Sequence, residues 1–373
     1  MTFLLSPQAA TQAVLWGGLF VGLALGAVAQ ATRFCTMGAL ADWFSFGGTG
    51  RLMMWVLAVA AAALGTLVIV DLQWLDATRT LPWSPRFVGL SYAVGGLLFG
   101  YGMVLASGCP QRNLVRLGAG SLKALVTLLV AAIAAQMTLR GVLAEARTRW
   151  LDAASTTLNT PQDIGSVLAA AVGTAPGATR WAVLGAALVA AAVVLWRSRG
   201  AMDAAHWTGG ACVGLLVLAG WALTGHIGFL PEHPETLEPA WLGTYSHRPE
   251  SLSFAAPLAH GLDLLTLWSD KSNAATFGVM LSLGVVLGSA ASALMRREFH
   301  IEAFRSPQDL GGHLLGGLLM GFGGVTALGC SIGQGITGLS LLSAGSCVAV
   351  AGIVAGCWAA VRVQAWRIER SAL

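Results

Sequence analysis

Residues 95–109 read GGLLFGYGMVLASGC, and residues 316–330 read GGLLMGFGGVTALGC. Aligned without a gap, they agree at ten of fifteen positions, and each ends on a cysteine, Cys109 or Cys330. Polar residues follow each thiol: PQRN after Cys109 and SIGQG after Cys330. A weaker echo lies downstream, where Ala119-Gly120-Ser121 matches Ala344-Gly345-Ser346 if the second copy is four residues longer. A duplicated, glycine-interrupted apolar segment at corresponding positions of two halves is the sequence pointer to a transporter's binding site.

Composition fixes the class around this repeat. Charged residues are 10% of the 373, hydrophobic residues 56%, and mean hydropathy is +0.72. A soluble globular domain carries roughly 25% charge, so the chain reads as an all-α polytopic membrane protein. Its 48 glycines fit that reading, because lipid supplies no hydrophobic drive between helices and small residues let backbones approach. The first positive charge is Arg33, so the charged leader region of a secretory signal is missing and the first apolar stretch is expected to stay in the membrane.

Roughly 20 apolar residues cross a bilayer. About nine spans are predicted, near 9–31, 51–71, 87–108, 122–140, 181–197, 207–225, 275–295, 312–330 and 345–364. Three shorter segments, 34–48, 110–119 and 331–344, read as re-entrant half-helices, since irregular backbone at membrane depth must be buried in protein or line a cavity; for 34–48 a short amphipathic helix on the membrane surface is the alternative. The repeat divides the single transport domain into a first half at 9–140, connecting spans at 181–225 and a second half at 275–364. Two polar stretches, 141–180 and 226–273, read as loops or short surface helices.

Lysine and arginine set orientation. With the N-terminus outside, thirteen of the 21 fall inside, among them Arg33, Arg51, Arg112 and Lys123, against eight outside, among them Arg140, Arg180 and Lys271. N-out and C-in is therefore expected. Five spans separate the two copies, so they should run in opposite directions as an inverted repeat.

The chemistry sits where the copies break. Pro110 suits the first position of a new helix and Ser331 suits an N-cap. Helix N-termini there would attract a small anion, and Gly333 and Gly335 would permit close backbone approach. Gly108 and Gly329 directly precede the two thiols. A thiolate beside an anion would be repelled, so the S–H form is kept and can donate to a soft terminal sulfur. Cys35, in TRFCTMGALADW, is the third candidate; Cys212, Cys347 and Cys357 lie in apolar runs and read as core residues. Arg112 is placed to neutralise an anion, Arg33 either to do the same or to anchor span one at the inner face, and Gln334 to bond either the ion or the re-entrant backbone. Asp42 is expected to pair with an arginine. His226 and His313 read as interface residues, and Trp16, Trp55, Trp196 and Trp207 as an interfacial belt.

RFCTMGA, GMVLASGC and ALGCSIGQGITGLSLLSAGS together resemble the YeeE/YedE family of sulfur-compound membrane transporters, over roughly residues 10–364. The resemblance implies nine transmembrane helices plus short embedded helices in the bacterial inner membrane. It also implies uptake of thiosulfate, passed along three cysteines by S–H···S hydrogen bonds; by motif these are Cys35, Cys109 and Cys330. A TusA-like cytoplasmic sulfur carrier often accompanies the family, and some relatives are linked to selenium or other sulfur compounds. This chain departs from the common Gly/Ser-rich run after the middle cysteine, having Pro110-Gln111-Arg112. The rival readings are a passive small-anion channel and a membrane thiol redox protein, the second disfavoured because no C-x-x-C pair exists. No ATP-binding P-loop and no metal-ligand cluster is visible, so neither an enzyme nor a cofactor is expected.

Overall fold

The computed structural model describes residues 6–234, 237–270 and 273–371. Glu235, Thr236 and Lys271 lie outside the described residues. In chain order the helices are α1 Pro7–Thr32, α2 Thr36–Phe46, α3 Gly50–Asp71, α4 Gly89–Leu105, α5 Pro110–Gly118, α6 Leu122–Leu139 and α7 Val142–Ala146. Then come α8 Ile164–Val172, α9 Pro176–Arg197, α10 Ala204–Ala222, α11 Ala256–Thr266, α12 Phe277–Met295, α13 Pro307–Thr326 and α14 Ala344–Ser371. A π-turn spans Gly333–Gly338. Among the described residues, strand is confined to two-residue ladders in the connections.

Among the described residues, eight helical stretches are long and apolar enough to cross a membrane. The ninth expected span, 312–330, is the 20-residue helix α13, whose glycines, Asp309 and His313 dilute its hydropathy. The three expected half-helices are present as α2, α5 and the π-turn.

At the centre α4 and α13 cross in contact, backbone against backbone. A methyl on Gly316 would lie 2.7 Å from the Gly102 carbonyl oxygen, and one on Gly323 would lie 2.6 Å from that of Gly95. Residue numbers rise along one helix as they fall along the other, so the pair is antiparallel. In the repeat alignment Gly95 corresponds to Gly316 and Gly102 to Gly323. The two contacts are therefore images of each other under a two-fold axis perpendicular to the helices.

The same axis relates the outer neighbours. Gly96 and Gly100 of α4 seat on the Ala349 and Ile353 carbonyls of α14, while their counterparts Gly317 and Gly321 of α13 seat on the Thr127 and Ala131 carbonyls of α6. The sheet-like row of helices is thus α14–α4–α13–α6. These contacts also correct the downstream register. Leu122 and Ala344 open the equivalent helices, 222 residues apart against 221 between the cysteines, so the second copy is one residue longer there. The Ala-Gly-Ser echo, which needs four, is not the structural correspondence. Instead Ser121 bridges Glu302 as Ser343 bridges Asp163, and Leu122 N–H donates to Glu302 as Ala344 N–H donates to Gln162.

Both polar connections penetrate further than a surface loop. Within 226–273, Leu252 and Phe254 are fully buried, and the Leu252 carbonyl accepts from Thr337 Oγ1 at 2.8 Å. Within 141–180, Gln162 and Asp163 are fully buried, Asp163 pairing with Arg180 at 3.0 Å. Asp42 pairs with Arg51, as expected. His226 stacks on Trp74, and buried His313 holds the Asp309 carbonyl at 2.8 Å.

The antiparallel crossing predicts the outcome of accessibility labelling. In a background with Cys212 and Cys347 changed to Ala, single cysteines at Ser84 and Ser306, just ahead of α4 and α13, should be labelled from opposite faces of the membrane. Labelling of both from one face would contradict the inverted arrangement.

A buried cysteine cluster between two cavities

The three candidate cysteines are delivered by one recurring turn. A helix ends on a left-handed residue, one residue follows, and the cysteine comes next. The left-handed residues are Arg33 (φ 56°), Ser107 (φ 54°) and Leu328 (φ 57°). After each, the next N–H closes back on the helix: Phe34 to the Ala29 carbonyl at 3.2 Å, Gly108 to Met103 at 2.8 Å and Gly329 to Gly324 at 2.8 Å. This is the six-to-one bond of a helix C-terminal motif. None of the three left-handed residues is glycine, so each turn carries a backbone cost of about 1–2 kcal/mol.

Beyond each turn the cysteine opens a short helix. Cys35 is the N-cap of α2, its Sγ accepting from Gly38 N–H at 3.3 Å. Cys330 does the same for Gly333 N–H at 3.3 Å. The cap expected of Ser331 Oγ is thus supplied by Cys330 Sγ, because the Cys-x-x-Gly spacing brings the third N–H over the sulfur. Cys109 is the N-cap of α5, with Pro110 at its first position as expected. Its sulfur makes no cap hydrogen bond of its own; it lies beside the Ser331 hydroxyl and is within electrostatic reach of Cys35 and Cys330. Phe254 N–H, from the buried connection, reaches Cys330. All three thiols are free, and all are buried.

Two cavities approach this cluster from opposite ends of α1 and α12. One, of about 280 Å³, is lined by Tyr92, Trp221, Tyr245, Glu250, His260 and Thr276, and its floor is Gly333 and Gln334. The other, of about 400 Å³, lies past the C-terminal ends of α1 and α12 and is lined by Arg33, Arg112, Arg116, Glu298 and Glu302. Burial alone would raise the Glu302 carboxyl, but hydrogen bonds from Arg116, Ser121 and Lys123 outweigh it and hold it down at about 2. Glu302 thereby takes up Arg116. Arg112 is left with a buried Nη1 that has no protein partner.

The remaining sequence-selected residues fall around these openings. Gly108 leaves room for the Arg112 stem, whose Cγ would sit 3.0 Å from a methyl there. Gly329 does the same for Gln334 at 3.1 Å. Between the two expectations for Gln334, the backbone wins: its amide donates to the Ala327 carbonyl at 2.6 Å and accepts from Ser346 at 2.5 Å. Sequence reading missed Gln111, fully buried beside Cys109 with both amide atoms unpartnered, and Thr36, whose buried hydroxyl is also unpartnered. An unpartnered polar atom is invisible until the neighbours are placed. Cys357, read as core, is fully buried in α14 but lies within electrostatic reach of Cys35.

A family model described as sulphur transport matches residues 31–359. This chain belongs to that family. The family is one of transporters rather than enzymes. The thiosulfate transporter TsuA of Spirochaeta thermophila is 27% identical over 363 residues, covering 96% of this chain and all of that protein. The thiosulfate transporter TsuA of Escherichia coli K12 is 25% identical over 370 residues, covering 96% of this chain and 97% of its own.

The first cavity has a titratable wall outside the spans. Burial, with Arg140 nearby, pushes His260 down from 6.5 to about 4, and its ring stacks on Tyr245 at 3.5 Å. The unfolded chain takes up a proton near pH 6.5 that the folded chain refuses until about pH 4, so stability is lost as pH falls through that window. Melting temperature in detergent should therefore drop between pH 7 and pH 4.5, and His260→Gln should flatten that slope.

Proposed function

We propose that this chain takes up thiosulfate, or a closely similar small sulfur oxyanion, across the bacterial inner membrane through the cysteine cluster. The observation that carries the reading is the convergence of three buried, free thiols, each just ahead of a short helix, between two cavities at opposite ends of the fold. The names of the two relatives support the substrate. With the N-terminus periplasmic and the C-terminus cytoplasmic, the vestibule floored by Gln334 is the entrance. The cavity carrying Arg33 and Arg112 is the exit, where an unpaired guanidinium nitrogen offers itself to an anion.

The ion's terminal sulfur accepts from Cys330, Cys109 and Cys35 in turn, as S–H donors. Thiols are weak donors, and weak, multiple sites let an ion leave as well as enter. The two pseudo-repeat halves, 9–140 and 275–364, contribute equivalent turns from either side of the axis. A TusA-like carrier would receive sulfur at the exit.

Uptake of radiolabelled thiosulfate into proteoliposomes tests the reading directly. Cys109→Ala or Cys330→Ala should abolish uptake, while Cys212→Ala and Cys347→Ala leave it intact. Full transport by the Cys109→Ala, Cys330→Ala double variant would sink the proposal.

Selectivity gives a second test. Sulfate matches thiosulfate in size and charge but has no terminal sulfur to accept from a thiol. Lost thiol hydrogen bonds of about 1–3 kcal/mol correspond to roughly 5- to 150-fold discrimination. Excess sulfate should compete poorly in the wild type and better in Cys109→Ser and Cys330→Ser, since a hydroxyl donates well to a hard oxygen. Equal competition by sulfate in the wild type would leave only a general anion path.

A further inference from the structure

The buried connection that touches Cys330 also forms a wall of the first cavity. Phe254 N–H reaches Cys330, and a methyl on Gly333 would meet Ser253 Oγ at 2.7 Å. The Leu252 carbonyl accepts from Thr337 Oγ1, and Ser251 Oγ donates to the Val217 carbonyl, both at 2.8 Å. Glu250 N–H donates to Thr224 Oγ1 at 3.1 Å. The run 250–254 is thus anchored along its length. It sets the Glu250 side chain on the wall of the cavity whose floor is Gly333 and Gln334.

Among the described residues lining this cavity, Glu250 is the only aspartate, glutamate, lysine or arginine. Its Oε1 accepts from Ser246 N–H at 3.0 Å and from Ser246 Oγ. Burial pushes the carboxyl above the ordinary carboxylate value, against those two bonds and the nearby exposed His247, which hold it down. No cation on the wall offsets it. His260, from α11, is neutral near pH 7. Arg140, just beyond α6, is engaged by Asp263 at 3.5 Å and lies over the Tyr245 ring. Tyr92 of α4 and Tyr245 are the other titratable side chains on the wall, while α10, α12 and the π-turn present Trp221, Thr276 and Gln334. An ionised carboxylate here would repel an anion in a confined space that screens charge poorly. The cavity suits an anion only when Glu250 carries its proton.

We propose that Glu250 is a proton-binding site coupled to the anion: each ion that occupies the first cavity does so together with one proton, taken from the outer solution onto the Glu250 carboxylate. This rests on the uptake reading above and adds a second ligand to it. The proton adds to Oε2, the oxygen that Ser246 leaves unbonded. A carboxylate that could only accept becomes an acid whose O–H can donate, so the same step removes a repulsion and supplies a donor. The coupling is reciprocal: the ion favours the proton as much as the proton favours the ion.

The test is calorimetric binding of thiosulfate, and separately of sulfate, to the purified full-length protein in detergent. Buffers of different ionisation enthalpy count the protons taken up, at pH values above the window in which His260 destabilises the fold. On the alkaline side of the Glu250 midpoint the wild type should take up about one proton per ion, and affinity should weaken by up to about tenfold per pH unit. Glu250→Gln keeps the shape and should bind with no proton uptake and no such slope. Ser246→Ala removes a hydrogen bond that favours the charged carboxylate, so the midpoint should move to higher pH. Undiminished proton uptake in Glu250→Gln overturns the proposal; if that variant fails to fold, an unmoved midpoint in Ser246→Ala does so. The two ions separate this proposal from the reading it rests on. Proton-coupled binding of sulfate without binding of thiosulfate supports the Glu250 site and overturns the thiosulfate reading. Thiosulfate binding with no proton taken up overturns the Glu250 site alone, and binding of neither ion overturns both.

Discussion

The structure depends on one contact, the backbone-to-backbone crossing of α4 and α13. Four glycines make it, Gly95 and Gly102 on one helix and Gly316 and Gly323 on the other. In lipid, helices associate through close packing rather than hydrophobic exclusion, so a crossing with no side chains between the backbones is where the fold gains most from its glycines. It also sets the geometry. Because the Gly95–Gly323 contact is the image of the Gly316–Gly102 contact, the two repeat copies must be antiparallel, and the turns that end them are thrown to opposite sides of the crossing. A side chain at any of these positions would separate the helices and with them the cysteines those turns carry.

What the crossing positions, the turns refine. A left-handed residue stops each helix, and the cysteine two residues on starts the next. The same sulfur that lines the cluster accepts a backbone N–H from its own short helix in α2 and at the π-turn. The thiol's place is thus fixed by the backbone rather than by a freely rotating side chain, and its proton is left to point elsewhere. Sulfur lone pairs face the helix; in the proposed path the S–H is the group offered to the ion.

The sequence made much of this legible, for identifiable reasons. Repetition is a property of sequence, so the paired GGLL…GC segments announced both the two-fold relation and two of the cysteines. Hydropathy placed the spans, and Pro110 correctly announced the start of α5. Cys-x-x-Gly was also written there, in C-T-M-G and C-S-I-G, yet Ser331 drew attention as the better-known capping residue. Other features depend on which elements meet. The Ala-Gly-Ser echo misled because local identity is cheap in a glycine- and alanine-rich chain, whereas the carbonyls under Gly96 and Gly317 give the register without ambiguity. Residues 251–255, Ser-Leu-Ser-Phe-Ala, lie between a Glu-rich stretch and a proline and read as loop. Only the placement of Thr337 and Cys330 shows why Leu252 and Phe254 are drawn inward.

The placement of charge completes the physical picture. Arginines stand at one rim, where Arg33 and Arg112 share a cavity with Glu298 and Glu302. A fixed cation at the centre would bind an anion too well to release it, since attraction between charges grows steeply as the surroundings lose water. Neutral donors avoid that trap. In the proposed path the thiols each contribute modestly, and together they replace part of the ion's hydration without holding a net opposite charge. In the proposed path the rim arginines would act at a distance, drawing the anion through rather than retaining it, with Arg116 already paired to Glu302. On this view the weakness of the cysteine as a hydrogen-bond donor is the reason it suits the centre of an anion path: the path must be favourable enough to enter and shallow enough to leave.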